Sequence, residues 1–137
     1  MKHKLIYIFA VFIFITIHVN SQDNNQIDKE LTDCMDKNPS TKGIIECVDN
    51  AYNKWDNELN SNYKKLMDIL DENGKATLKE VQRKWIEFRD LEFKNIEEIY
   101  SLKEGTMYLP MAALDKMDIV KKRALDLKDY FELLTER

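Results

Sequence analysis

The chain has 137 residues, of which 44% are hydrophobic and 34% are charged, and its formal net charge is −4 at pH 7. This length is enough for one small domain with a single hydrophobic core. An acidic surface argues against nucleic acid and anionic membranes as partners, because both require patches of lysine and arginine. The same surface could attract a cationic partner or simply keep the protein soluble.

The first 21 residues have the features of a signal peptide. Two lysines precede a 15-residue apolar run at residues 5–19, and Val19 and Ser21 suit the last positions before a cleavage site. The run is shorter than the roughly 20 apolar residues of a spanning helix, so an uncleaved anchor is the alternative. We expect an exported protein, periplasmic or secreted, whose domain comprises residues 22–137 with 19 basic and 25 acidic residues, a net charge of −6.

Two cysteines, Cys34 and Cys47, lie in the exported part. Export makes a disulfide chemically allowed, and with only two cysteines its connectivity is unambiguous. A metal or redox role is the weaker interpretation, because the spacing is not CxxC and no histidine lies nearby. Cys34 belongs to a predicted short helix over residues 27–36, whose apolar face includes Ile27 and Leu31.

A second helix is predicted over residues 41–72. Its apolar residues recur at spacings of three and four, which is the pattern of one helix face. They are Val48, Tyr52, Trp55, Leu59, Tyr63, Leu66 and Leu70. "ENGK" ends the helix, with Gly74 suited to the left-handed conformation after its last turn.

A third helix is predicted over residues 76–102, opened by a capping box of Thr77 and Glu80. Its predicted inner face contains Leu78, Val81, Trp85, Phe88, Glu92, Ile96 and Ile99, of which only Glu92 is polar.

A fourth helix is predicted to open at Pro110, and its apolar residues keep heptad-like spacing to the end of the chain. They are Ala113, Met117, Val120, Ala124, Leu127, Phe131 and Leu134. Three long helices joined by short loops must pack antiparallel. The sequence therefore predicts an all-α fold, an elongated antiparallel bundle of three long helices plus a short N-terminal helix stapled by a disulfide.

Polar side chains interrupt the faces of the second and third helices. A hairpin folded around Gly74 brings together residues whose numbers sum to about 147. Arg89 would then pair with Asp56, and Gln82 with Asn60. The predicted structural polar layer comprises Asp56, Asn60, Tyr63, Gln82, Trp85 and Arg89.

Within this layer, Arg89 is predicted to stack on Trp85 one turn earlier. Asp90 should point outward and pair with Lys94. We expect the layer to fix helix register, because a shifted alignment would leave buried donors unsatisfied. A ligand-binding role for the same groups is the alternative.

No catalytic or metal site is apparent in the sequence. Both histidines, His3 and His18, lie in the predicted signal peptide, so the exported chain lacks the commonest general base and metal ligand. The sequence has no phosphate loop, zinc spacing or nucleophile motif, and no carboxylate pair stands out. We expect no enzymatic activity and no cofactor.

The combined motifs resemble the LprI-like lysozyme-inhibitor family over about residues 34–127. They are D-x-x-LN-x-x-Y at residues 56–63, QR-x-W-x-x-x-RD at residues 82–90, Gly105 with Thr106, and a late Arg123. The resemblance implies a small exported helical domain with a disulfide, without enzymatic activity, whose named activity is inhibition of lysozyme. Two departures stand out: Phe93 occupies a place where members often have a further cysteine, and the Gly-Gly-Ser type of loop is reduced to "EGT".

The resemblance implies a basic lysozyme or another exported protein as partner, and an acidic chain would be steered toward it. The expected contact is the loop before the fourth helix, since exposed aromatic and methionine residues make good interface anchors. Its residues are Gly105, Thr106, Met107, Tyr108 and Leu109. Two alternatives are open: these side chains cap the bundle end, or the protein is an envelope interaction module without lysozyme activity.

Overall fold

The structure is a computed structural model that describes residues 26–136. It contains four helices, α1 (Gln26–Lys37), α2 (Thr41–Ile69), α3 (Glu72–Ser101) and α4 (Tyr108–Thr135). This part of the chain has no strand and no helix long and apolar enough to cross a membrane. The predicted all-α bundle of three long helices and one short helix is therefore confirmed. The predicted signal peptide, residues 1–21, lies outside the described residues.

The short helix α1 is held to the bundle by covalent, ionic and apolar contacts. The predicted disulfide joins Cys34 of α1 to Cys47 of α2, with their Cα atoms 5.8 Å apart. Lys121 of α4 donates to Asp28 at 2.6 Å. Leu31 is buried in the core cluster. Since α1 touches both long core helices, it covers one side of their interface.

The hydrophobic core lies between α2 and α4. Seven side chains of α2 and six of α4 are buried. The largest fully buried side chains are Trp55 and Val48 from α2 and Leu127 and Val120 from α4. All four belong to the apolar faces that helical spacing predicts, so for these two helices the periodicity identifies the core side correctly.

Helix α3 lies on the outside of the bundle, and its predicted inner face is partly wrong. Ile96 is its one buried side chain. Three members of the predicted face are exposed, namely Val81, Phe88 and Ile99. The side of α3 that packs is rotated about the helix axis from the predicted face, and the Phe93 ring on it lies 6.3 Å from the Tyr52 ring. Apolar residues occupy a wide arc of α3, and spacing alone does not determine which flank of a wide arc packs.

The connection between α2 and α3 is shorter than predicted. α2 ends at Ile69, and the Asp71 side chain accepts a hydrogen bond from the Gly74 N–H at 2.8 Å. Gly74 therefore belongs to the first turn of α3 and does not end α2. The capping box of Thr77 and Glu80 is also wrong. The reason is that Asp71 is itself a strong N-cap residue, and it starts the helix earlier.

Candidate partner-binding site

The loop between α3 and α4, residues 102–107, and the first turn of α4 expose large apolar side chains to solvent. Met107 is 61% exposed, and Leu109, in the first turn of α4, is 57% exposed. Gly105 has a φ of +105°, in the region that favours glycine, and so allows the chain to turn there. Thr106 is exposed as well. For Met107 and Leu109, this exposure argues against a role in capping the bundle end.

A cavity of about 610 Å³ opens beside this loop, between α2, α3 and α4. Gly105, Tyr108 and Leu109 of the candidate loop contribute to its lining. Its aromatic walls are Tyr52, Phe93, Tyr100 and Tyr108, and its charged groups are Asp49, Glu97, Lys103 and Lys116. Apolar walls with a few polar groups, at this size, are typical of binding sites.

Two of the charged groups of the cavity, Lys116 and Glu97, pair with each other. Lys116 donates to Glu97 at 2.5 Å, and this hydrogen bond keeps the pKa of Glu97 below its ordinary value. The same ammonium lies 5.7 Å from the centre of the Phe93 ring. Glu97 is therefore ionised at neutral pH and is unsuited to act as a general acid.

A tyrosine pair forms the part of the wall nearest the loop. The rings of Tyr100 and Tyr108 are 6.4 Å apart. The Tyr100 hydroxyl donates to Asp115 at 2.7 Å, and this bond raises the pKa of Tyr100. The Tyr100 side chain, held by this carboxylate, thus forms part of the cavity wall. Within residues 26–136, no cluster of His, Cys, Asp and Glu side chains could hold a metal ion.

In the predicted polar layer, the stacking of Arg89 on Trp85 is found, but the predicted pairs between α2 and α3 are not. Arg89 donates to Asp90, from Nε at 2.9 Å and from Nη2 at 2.7 Å. Asn60 donates to the Asp56 carboxylate one turn earlier in its own helix, at 3.1 Å. These contacts replace the predicted pairs Arg89–Asp56 and Gln82–Asn60. Both of these contacts lie within a single helix, so they need no alignment between helices.

Arg89 lies over two aromatic rings. Its guanidinium carbon is 5.4 Å from the centre of the Trp85 ring and 5.8 Å from that of Phe93. Trp85 and Tyr63 are half-buried and pack against the core. Asp90 is exposed, but its partner is Arg89 and not Lys94. The Arg89 guanidinium thus bonds to Asp90 of its own helix and lies beside Phe93, which lines the cavity.

A buried polar layer does exist, and it is centred on α4. Arg123 is 8% exposed and donates from Nε to the Gln82 side-chain oxygen at 3.0 Å. Asn62 of α2 is 3% exposed and donates to the Ala124 carbonyl at 3.2 Å. From the sequence, Arg123 was identified only as part of the family pattern. Its place between Val120 and Ala124, on the apolar face of α4, is the signal that predicts burial.

The comparisons with known proteins identify a family. A family model described as "Lysozyme inhibitor LprI" matches residues 34–127, from the first disulfide cysteine to a buried leucine of α4. The crystal structure of an uncharacterized protein from Burkholderia thailandensis is similar, with a TM-score of 0.73 and 28% sequence identity. The match covers 80% of this chain and 55% of that one, so this chain spans about half the length of that protein. No curated protein matches the chain.

Proposed function

The chain belongs to the LprI lysozyme-inhibitor family, and on that basis we propose that it is an exported, non-enzymatic protein that binds and occludes a cationic cell-wall hydrolase. The observation that carries the proposal is the family match over residues 34–127. That range contains all of α2 and α3, the loop before α4 and the buried Arg123, so the match includes every part of the candidate site.

Export is supported by two independent features. The disulfide between Cys34 and Cys47 is of a kind that persists in oxidising compartments such as the periplasm or the outside of the cell. The apolar run at residues 5–19 has the form of a signal peptide. A periplasmic or secreted protein would meet cell-wall hydrolases directly.

We assign the contact to the loop-end surface, which we define as residues 105–109 with the adjoining cavity. Met107 and Leu109 offer exposed apolar anchors, and Tyr108 and Tyr100 offer aromatic ones. Aromatic and apolar anchors next to a concave surface are the features that give a small interface most of its binding energy. The projecting loop would enter the hydrolase cleft while the cavity receives a side chain from its rim.

Long-range charge supports a basic partner. Residues 22–137 carry 19 basic and 25 acidic side chains, a net charge of −6. Attraction between an acidic inhibitor and a basic lysozyme raises the association rate more than it lowers the dissociation rate. The predicted inhibition should therefore weaken as salt is added, because salt screens the attraction.

A binding role is better supported than a catalytic one. The sequence has no histidine after His18, and in the cavity Glu97 is held ionised by Lys116. Proton transfer at neutral pH needs a group whose pKa lies near that pH. The groups that line the cavity suit recognition by contact and charge.

The test is lysis of a bacterial suspension by a basic animal-type lysozyme, followed as loss of turbidity. We expect micromolar protein at low salt to slow lysis. Leu109→Ser should weaken inhibition about tenfold, since it removes one exposed anchor of the loop. Leu133→Ser is the matched control, because Leu133 is an exposed leucine of the last turns of α4.

The outcomes separate the function from its location. If the unchanged protein does not slow lysis at low salt, the inhibitor function is contradicted, and an envelope interaction module without lysozyme activity becomes the better proposal. If it slows lysis but Leu109→Ser and Leu133→Ser behave alike, the loop-end surface is not the contact.

A further inference from the structure

An apolar stripe runs along α3 with no partner in the bundle. It consists of Val81, Phe88, Leu91, Ile99 and Leu102, which are exposed at 45%, 56%, 68%, 52% and 83%. At 100° per residue, these five positions fall within an arc of about 80°. We call this set the α3 stripe. Soluble monomers rarely leave so many large apolar side chains exposed along one line.

The opposite flank of α3 is the one that packs. Ile96 is buried, Gln82 accepts from Arg123 of α4, and Glu97 pairs with Lys116 of α4. These positions lie between about 100° and 160° from the centre of the stripe. Within residues 26–136, therefore, no element covers the stripe.

Three charged residues, Lys84, Glu92 and Glu98, lie on the same side of α3 as the stripe, and Lys84 already pairs with Glu87 of its own helix. Lys84 and Glu98 are at equal distances from the middle of the stripe. Lys84 is seven residues before Leu91, and Glu98 is seven residues after it. The ends of the stripe have nearly the same symmetry, since Val81 precedes Leu91 by ten residues and Leu102 follows it by eleven. In a reversed copy, the positions of Lys84 and Glu98 are complementary. Glu92 would face its own copy in either orientation, so it does not choose between them.

We propose that the α3 stripe binds the α3 stripe of a second copy of this chain, antiparallel, about a two-fold axis near Leu91. In this register Lys84 faces Glu98 of the second copy, and Val81 faces its Leu102. Each contact occurs twice, as in any two-fold interface. A parallel pairing would instead set Lys84 against Lys84 and Glu98 against Glu98, which like-charge repulsion disfavours.

The size of this contact sets the expected affinity. The stripe is about 32 Å long at 1.5 Å per residue, so a single helix from each copy forms the whole interface. Such a contact is at the small end of specific interfaces, and it should form at micromolar concentrations. Phe88 and Leu91, at the centre, would be the residues most completely removed from water. The proposal does not depend on the inhibitor function.

The first test is the molar mass of the purified protein in light scattering or sedimentation, from about 1 to about 200 µM. The mass should rise to twice that of the monomer as concentration increases. Phe88→Glu should stay monomeric over this range, with unchanged helicity in circular dichroism. Leu133→Glu, on α4, changes an apolar residue that is at least as exposed as Phe88, and it should dimerise like the unchanged protein.

The second test is a charge exchange that reads out orientation. Lys84→Glu alone and Glu98→Lys alone should each weaken dimerisation about fivefold, since two symmetric pairs change at once. Both changes together should restore it, because each pair is complementary again. Restoration is specific to the antiparallel register.

Three outcomes would overturn the proposal. One is a monomer at every concentration. Another is a dimer that persists in Phe88→Glu, or one whose stability is not restored when Lys84→Glu and Glu98→Lys are combined. The third is a monomeric protein in which Phe88→Glu abolishes binding to a lysozyme, because the stripe would then belong to that partner and not to a second copy.

Discussion

Arg123 places a cation inside the bundle. Its Nε donates to Gln82, while its Nη2 is buried without a hydrogen-bond partner among the described residues. Burial lowers the pKa of Arg123, and the nearby Asp126 carboxylate opposes that shift. A buried charge with incomplete partners costs free energy, so the residue is not there for stability alone. Its hydrogen bond to Gln82 links α4 to α3.

The cost of Arg123 can be measured by substitution. Arg123→Met keeps most of the volume and removes the charge, so the free energy of unfolding should stay within about 1 kcal/mol of the original or rise. Arg123→Ala should lower it by about 2–4 kcal/mol, because it leaves a cavity between α3 and α4. Urea unfolding measures both.

Lys122 provides the control for these variants, since it is exposed next to Arg123. Lys122→Met should change the free energy of unfolding by less than about 0.5 kcal/mol. A loss of about 3 kcal/mol or more in Arg123→Met would show that the guanidinium has full hydrogen-bond partners, and the description of an under-satisfied charge would be incorrect.

At the scale of elements, α1 is the shortest helix and contributes one buried side chain, Leu31. Its attachments are the disulfide, the ion pair of Glu30 with Lys54, that of Asp28 with Lys121, and buried Leu31. Ion pairs at partly exposed positions contribute little. The disulfide is therefore the attachment that decides whether α1 stays in place.

Removing the disulfide tests this. The double variant Cys34→Ala with Cys47→Ala should lose about 3 kcal/mol, because the unfolded chain regains the freedom of the closed loop. The melting temperature should fall by about 10–20 °C. Hydrogen exchange should speed up first in residues 26–37, before α2. Reductant should destabilise the unchanged protein by a similar amount and leave the double variant unaffected. If residues 26–37 exchange their amide hydrogens equally fast in both proteins, the proposed role of the disulfide is contradicted.

The elements differ in how far the sequence predicts them. The faces of α2 and α4 follow from spacing, because a single narrow apolar face leaves one way to pack. The α3 face does not, since its wide apolar arc offers two flanks and the choice depends on where α4 lies. The start of α3 was predicted from the capping-box pattern of Thr77, whereas the helix begins at the stronger N-cap residue, Asp71.

The candidate site shows the same limit. The loop residues Met107 and Leu109 were recognisable from their type and their place between helices. The cavity beside them was not, because it needs Tyr52, Phe93 and Tyr100 from two helices in a known register. Arg123 was visible on the α4 face, but only the structure supplies its partner Gln82.

For the whole molecule, the balance of carboxylates sets the response to acid. Hydrogen bonds from Lys54, Arg83 and Lys116 lower the pKa values of Glu30, Glu80 and Glu97 from the ordinary 4.5. Such pairs favour the folded state above pH 4.5, and their contribution is lost as the pH falls through the lowered values. Acid also converts the net charge of residues 22–137 from negative to positive, because 19 basic residues remain.

Asp118 acts in the opposite sense. Loss of solvent raises its pKa, and the neighbouring Asp115 and Asp28 raise it further, while Lys121 opposes them. Its ionised form therefore weakens the folded state, and protonation relieves this as the pH falls. One such group stands against three glutamates with lowered pKa values.

We accordingly expect the urea midpoint to be nearly flat from pH 7 to about 5.5 and to fall below about pH 4.5. Glu97→Gln removes one of the paired carboxylates, so its midpoint should be lower than that of the unchanged protein at pH 7. The two midpoints should converge as the pH falls through the lowered pKa of Glu97, because Glu97 then becomes protonated in the folded state as well. Asp118→Asn should show the reverse, a higher midpoint at pH 7 and the same convergence. If the midpoint of the unchanged protein instead rises on acidification, desolvated carboxylates such as Asp118 outweigh the paired glutamates, and the acidic surface is maintained at a cost to stability.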